Sequence, residues 1–160
     1  MRWSKLTVGM LVLMALSASA NAGLTVRFVG AERYSDAEAG SNGSRKETLN
    51  ELRRYLDTLG ARYLRPGQDL SIEVLDVDLA GQRLPNRGGE TRIVTGATPP
   101  RISLRYTLRE RGRVVRRDEE TLSDSNFQMS TAARSGDRLA YEKELLADWF
   151  RTQFRTGRRS

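Results

Sequence analysis

The chain contains neither cysteine nor histidine. Without imidazole or thiol there is no serine–histidine or cysteine–histidine nucleophile, and no zinc site built on nitrogen or sulfur. Any catalysis would have to use carboxylates, Tyr, Lys, Arg or a metal held by oxygen ligands. The missing cysteines also exclude disulfides, so an exported chain of this kind must rest on packing alone. Lysine is scarce: beyond the amino-terminal segment only Lys46 and Lys143 occur, and the basic residues are otherwise arginines. Arginine excess suits bidentate recognition of phosphate or carboxylate, and it is equally the mark of a GC-rich genome. The chain also lacks long apolar runs. Its longest, Thr7 to Leu16, has about half of the roughly 20 residues needed to span a bilayer.

That short run has a function of its own. MRWSKLTVGMLVLMALSASANA carries Arg2 and Lys5 at its start, then the apolar stretch, then small residues from Ser17 to Ala22. These are the three parts of a secretory signal, with cleavage expected before Gly23, or two residues earlier at Ala20. Cleavage removes 22 of the 160 residues and leaves 138, a chain long enough for one domain with a real core. It also removes two of the 27 basic residues, leaving 25 against 20 acidic ones, a net charge of +5. The expected organisation is a cleaved signal over 1–22, one α+β domain over 23–155 and a disordered basic tail over 156–160. The compartment is periplasmic or extracellular, with no membrane span after cleavage.

Periodicity places the elements. LTVRFV, 24–29, alternates with Leu24, Val26 and Phe28 on one side, as a strand does. Gly30 to Gly43 reads as a loop. Ser44 and Glu47 have the spacing of a capping box before a helix with Leu49, Leu52, Leu56 and Leu59 on one face, and Gly60 is placed to end it. Arg65-Pro66-Gly67 reads as a turn into a second strand. There the apolar parity switches between Val74 and Leu75; either a bulge restores one inward face and turns Ser71, Glu73, Asp76 and Asp78 outward together, or the strand is buried on both sides at its centre. The span 80–100 reads as irregular, with Thr91 to Val94 as a short strand. Arg101 to Arg109 alternates with Ile102, Leu104, Tyr106 and Leu108 inward, Gly112 marks a hairpin turn, and the charged return segment 114–122 reads as an edge strand. A helix over about 137–154 carries Leu145, Leu146, Trp149, Phe150 and Phe154 as a stripe suited to core packing. The expected fold is a two-layer β-α-β-β-β-α sandwich of about four strands with both helices on one face. Its first two strands should be parallel and joined by a right-handed crossover.

Four segments, DVDLAG at 76–81, PRISLRYTL at 100–108, EETLSDSNF at 119–127 and YEKELLADWF at 141–150, resemble a bacterial exported family known as domain of unknown function 3016. The resemblance implies a secreted, periplasmic-type protein with no established activity, cofactor or functional residue. The element order is also similar to that of small two-layer domains among envelope assembly and transport-auxiliary proteins, an analogy of order alone.

Two candidate sites follow from residue type. The arginines of the 101–117 hairpin put Arg101, Arg105 and Arg109 on the outward side of one strand, where they can meet anionic lipid, anionic glycan or nucleic acid, while the edge strand can accept a protein partner's strand by backbone pairing. The same arginines can instead pair across the hairpin with Asp118, Glu119 and Glu120. Nucleic acid does not fit, because the hairpin's only aromatic, Tyr106, points inward. The second candidate is Asp76 and Asp78, with Glu73 and Asp124, as oxygen ligands for Ca²⁺ or Mg²⁺ or as an acid–base pair in glycoside cleavage; the competing reading is a solvated strand face. The function read from the sequence is a non-catalytic envelope binding or assembly module without a cofactor. The alternative is a carboxylate-dependent, metal-assisted hydrolase.

Overall fold

The computed structural model describes residues 22–35, 42–86 and 89–154. Most of the expected signal over 1–22 and the 156–160 tail therefore lie outside the described residues, as does the side chain of Ser44. Four strands form one sheet in the order β1 (Gly23–Phe28), β2 (Gln68–Asp78), β5 (Arg101–Glu110), β6 (Arg113–Ser123). A separate two-stranded ribbon pairs β3 (Gln82–Asn86) with β4 (Gly89–Ile93). The helices are α1 (Asn42–Tyr63) and α2 (Ala140–Phe154).

The β1–β2 pair is parallel, as the intervening helix requires, and the other pairs are antiparallel. One core holds the sandwich together. Val26, Leu70, Ile72, Val74 and Val77, with Ile102, Leu104, Tyr106 and Leu108, form the inner face of the sheet. Leu52, Leu56 and Leu59 of α1 and Leu146, Trp149 and Phe150 of α2 cover that same face. Burying a side chain of this size contributes on the order of 1.5–3 kcal/mol, so this layer carries most of the stabilisation. The helices are joined by charge as well. Glu51 accepts from Lys143 Nζ at 2.6 Å and pairs with the Arg138 guanidinium at 3.0 Å.

The bulge is present. Pairing of β2 with β5 shifts between Val74 and Asp76, so Leu75 is the extra residue and the inward parity is restored at Val77. The 30–43 segment is less irregular than expected, because Ala31–Arg33 forms a 3-10 turn that delivers Tyr34 to the core. At the bulge the Val74 carbonyl accepts from both Tyr34 Oη at 2.7 Å and Val29 N–H at 2.9 Å.

Three expectations are corrected. Gly60 does not end α1, which runs on to Tyr63. It lies where the helix presses on β1, and a Cβ there would come within 2.8 Å of Leu24 Cδ2. The glycine thus serves a close approach rather than a cap. The helix also begins at Asn42, so Ser44 lies within it rather than ahead of it. Finally, the 80–100 span is not irregular throughout: Gln82–Asn86 and Gly89–Ile93 form the ribbon, entered after Gly81, whose φ of 89° only glycine adopts readily.

Candidate functional site

The face of the sheet away from the helices is built by alternation. Every inward residue of β2 and β5 leaves its neighbours outward, and strand order then decides which outward residues meet. One row across the sheet is Thr25, Ser71, Thr107, Arg117; the next is Arg27, Glu73, Arg105, Glu119. With strands about 4.8 Å apart, each row spans roughly 14 Å. Over them lies a depression of about 450 Å³ lined by Thr25, Arg27, Ser71, Glu73, Arg105, Thr107, Arg109 and Arg117, with Ile72 at its floor. Four guanidinium groups thus share a lining with one carboxylate.

The four arginines are not equally committed. Arg105 holds Glu119 at 2.8 Å and Glu73 at 3.3 Å, and its bonding to Glu119, followed by that carboxylate's charge, pushes its pKa further up. Arg117 Nε donates to the Thr107 hydroxyl at 3.3 Å. Among the described residues neither Arg27 nor Arg109 enters an ion pair. The cross-strand pairing expected for the hairpin is therefore real for Arg105 and leaves two cations of the depression uncommitted.

A family model described as "Protein of unknown function (DUF3016)" matches residues 22–152. The chain belongs to that family. No curated protein matches it. Among solved structures, a minor lipoprotein from Acinetobacter baumannii, determined at 2.35 Å, shares 14% identity over 82% of this chain and 87% of its own, with a TM-score of 0.25, and that likeness carries no argument.

In this DUF3016 chain the three arginines expected to act together are divided. Arg105 and Arg109 line the depression. Arg101 does not; it stands at the other end of β5, eight residues and roughly 27 Å from Arg109 by strand rise, opposite Asp78. Arg27 and Arg117 take its place. Arg27 shares outward parity with Thr25 in LTVRFV, but only the β1-β2-β5-β6 order shows that this parity meets Arg105 and Arg109.

The acidic residues are likewise dispersed in role. Asp76 accepts from Ser35 N–H and Ser35 Oγ, each at 2.6 Å, and so fastens the segment after Tyr34 to the bulge. Burial pushes the Asp78 carboxyl up, the neighbouring Asp76 charge adds to this, and Arg101 opposes it. Asp124 sits beyond β6, where its Oδ1 accepts from Asn126 N–H at 2.8 Å in a local turn. No group of three or more acidic side chains able to hold a metal occurs among the described residues. Glu73 belongs to the arginine face.

Sequence reasoning also missed a buried ion pair. Glu142 of α2 is fully buried, and its Oε1 accepts from Ala80 N–H and from Arg92 Nη2, both at 2.8 Å. Arg92, on β4, also donates to the carbonyls of Ala80 and Arg138. This clamp fastens the β3–β4 ribbon to the start of α2. Removing one partner of such a pair strands the other charge, so it is a structural commitment rather than a free catalytic group.

Proposed function

We propose that the protein is an exported, non-catalytic envelope module that holds an anionic group, the phosphate, sulfate or carboxylate of a glycan or lipid headgroup, on the outer face of its sheet. One observation carries the reading: Arg27 and Arg109, uncommitted among the described residues, flank a row of hydroxyls inside a depression lined by four arginines and one carboxylate. Guanidinium groups match oxyanions in a bidentate fork, and Thr25, Ser71 and Thr107 add donors that can rotate to suit. The leader-like amino terminus supports export. Among the described residues no helix is long and apolar enough to cross a membrane. The engagement of Asp76 by Ser35 weighs against the hydrolase alternative.

Calorimetric titration tests the reading with dextran sulfate against neutral dextran, and with phosphatidylglycerol against phosphatidylcholine vesicles, at low and high salt. Binding of one anionic probe is expected, weakened by salt. It should fall about tenfold or more in Arg27→Ala/Arg109→Ala and be nearly unchanged in Arg101→Ala, since a charge-assisted hydrogen bond is worth about 1.5–3 kcal/mol. Equal affinity in the wild type and the double variant, or no binding of either probe, would remove the proposal.

A further inference from the structure

The two edges of the main sheet are unlike. At β1, α1 reaches over the edge: Arg53 donates to the Val26 carbonyl at 2.7 Å and lies 5.3 Å from the centre of the Phe28 ring. At β6 an 11-residue strand has no strand beyond it among the described residues. Residues 113–119 of that strand are all exposed, including Val114 at 48% and Val115 at 52%. Glu119 N–H is bonded to Asp118 Oδ1 at 2.8 Å rather than to β5, so the backbone groups of Arg117, Glu119 and Thr121 are those facing the open edge.

We propose that this edge is a self-association surface, on which a second copy of the chain pairs its β6 antiparallel to the first about a two-fold axis at Asp118. The charge order carries the choice of partner. Arg116-Arg117-Asp118-Glu119-Glu120 runs from two cations to two anions through one residue. An antiparallel copy centred on Asp118 sets Arg117 opposite Glu119 and Arg116 opposite Glu120, each pair occurring twice. It also brings Val115, the bulged residue of β6, near Thr121.

Symmetry excludes the neighbouring registers. A two-fold axis normal to the sheet must pair a residue with itself. Centring on Arg117 opposes Arg116 to Asp118 but puts Arg117 on Arg117 and Val115 against Glu119, and centring on Glu119 puts Asp118 against Glu120. The Asp118 register opposes unlike charges at two pairs, Arg117 with Glu119 and Arg116 with Glu120, and there Arg117 and Glu119 face the edge with their backbone groups, the Glu119 N–H exchanging its bond to Asp118 Oδ1 for one across the new pair. Like charges directly opposite are destabilising and unlike pairs favourable, so the charges that deter a foreign strand admit a copy of this one. The Asp118 pair on the axis is the cost, and it holds the association weak. The result is an eight-stranded sheet with both arginine faces on the same side. The inference does not rest on anion binding.

The absence of cysteine makes the register directly measurable. In the full exported chain, Asp118→Cys, Val115→Cys and Thr121→Cys each introduce a lone thiol. Asp118 lies on the axis in a non-hydrogen-bonded pair, where Cα atoms are about 4.5 Å apart and a disulfide can close. Mild oxidation should therefore give a disulfide dimer of Asp118→Cys on non-reducing electrophoresis. Val115→Cys and Thr121→Cys alone should stay monomeric, since each lies roughly 20 Å from its own copy, and their mixture should cross-link. Sedimentation equilibrium of the unsubstituted protein should show a monomer–dimer equilibrium. A monomer at all concentrations, or Val115→Cys cross-linking as fast as Asp118→Cys, would overturn the proposal.

Discussion

Asp76 and Asp78 stand two residues apart on one strand face and are held differently. Asp76 accepts two hydrogen bonds from Ser35, whereas the Asp78 carboxyl is pushed up by burial and then by the Asp76 charge. Asp76→Ala should therefore cost about 1–2 kcal/mol in urea unfolding at neutral pH. A group whose folded pKa is raised favours the fold below its unfolded pKa and loses that advantage as pH rises through the folded value. Above that value the ionised Asp78 works against the fold, so Asp78→Asn should be neutral or slightly stabilising there. A loss of stability in Asp78→Asn matching that of Asp76→Ala would contradict this assignment. If the pair instead bound Ca²⁺, saturating ion would raise stability by about 2.7 kcal/mol at a hundredfold excess over Kd, and Asp76→Asn/Asp78→Asn would abolish the rise.

At the level of elements, α1 and β1 meet through Gly60 and Leu24. Helix propensity alone would make Gly60→Ala a gain of about 1 kcal/mol. The close approach reverses the sign, because the added Cβ would lie 2.8 Å from Leu24 Cδ2 and 3.0 Å from Leu24 Cβ, so more than a side-chain tip must move. The expected result is a net loss of about 1 kcal/mol or more, read from the urea midpoint. Stabilisation would mean that Leu24 yields without cost. The β-bulge was one of two readings of the switched parity in SIEVLDVDL, the other being a strand buried on both sides, and the pairing of β2 with β5 decides for the bulge. The β3–β4 ribbon was not legible. Its strands lie outside the main sheet, and its anchor, Arg92 on Glu142, joins residues 50 apart that no local pattern connects.

For the molecule as a whole, alkaline unfolding should report the joint between the 3-10 turn and the sheet. Burial, reinforced by the Asp76 and Glu32 charges and opposed by Val29 N–H, pushes the Tyr34 hydroxyl up to about 12. The unfolded phenol titrates near 10, so between these values the folded state binds more protons and stability must fall as pH rises. The contribution is intact below pH 10. Its loss should reach at most about 2 kcal/mol, allowing for solvent screening of the partly accessible hydroxyl. Tyr34→Phe should flatten this limb while giving up the bond to the Val74 carbonyl, about 1 kcal/mol at neutral pH. Urea midpoints from pH 8 to 12 measure both; an unchanged alkaline slope in Tyr34→Phe would contradict the assignment. Tyr55 and Tyr106, also raised chiefly by burial, account for the slope that remains.

The sequence by itself determined the α+β class, the four strands of the main sheet, the edge position of β6 and the side of β5 on which its arginines stand. All of these follow from period and parity, which are properties of neighbouring residues. Only the tertiary structure decided which arginines belong together. Arg101 and Arg109 share a strand face yet are separated by its length, whereas Arg27, Arg109 and Arg117 converge from three strands because β1, β2, β5 and β6 lie side by side. The same holds for Asp76, spent on Ser35, and for Arg92 on Glu142. Strand order and the partner of a charge depend on how distant segments share one hydrophobic face, and local sequence does not encode that choice.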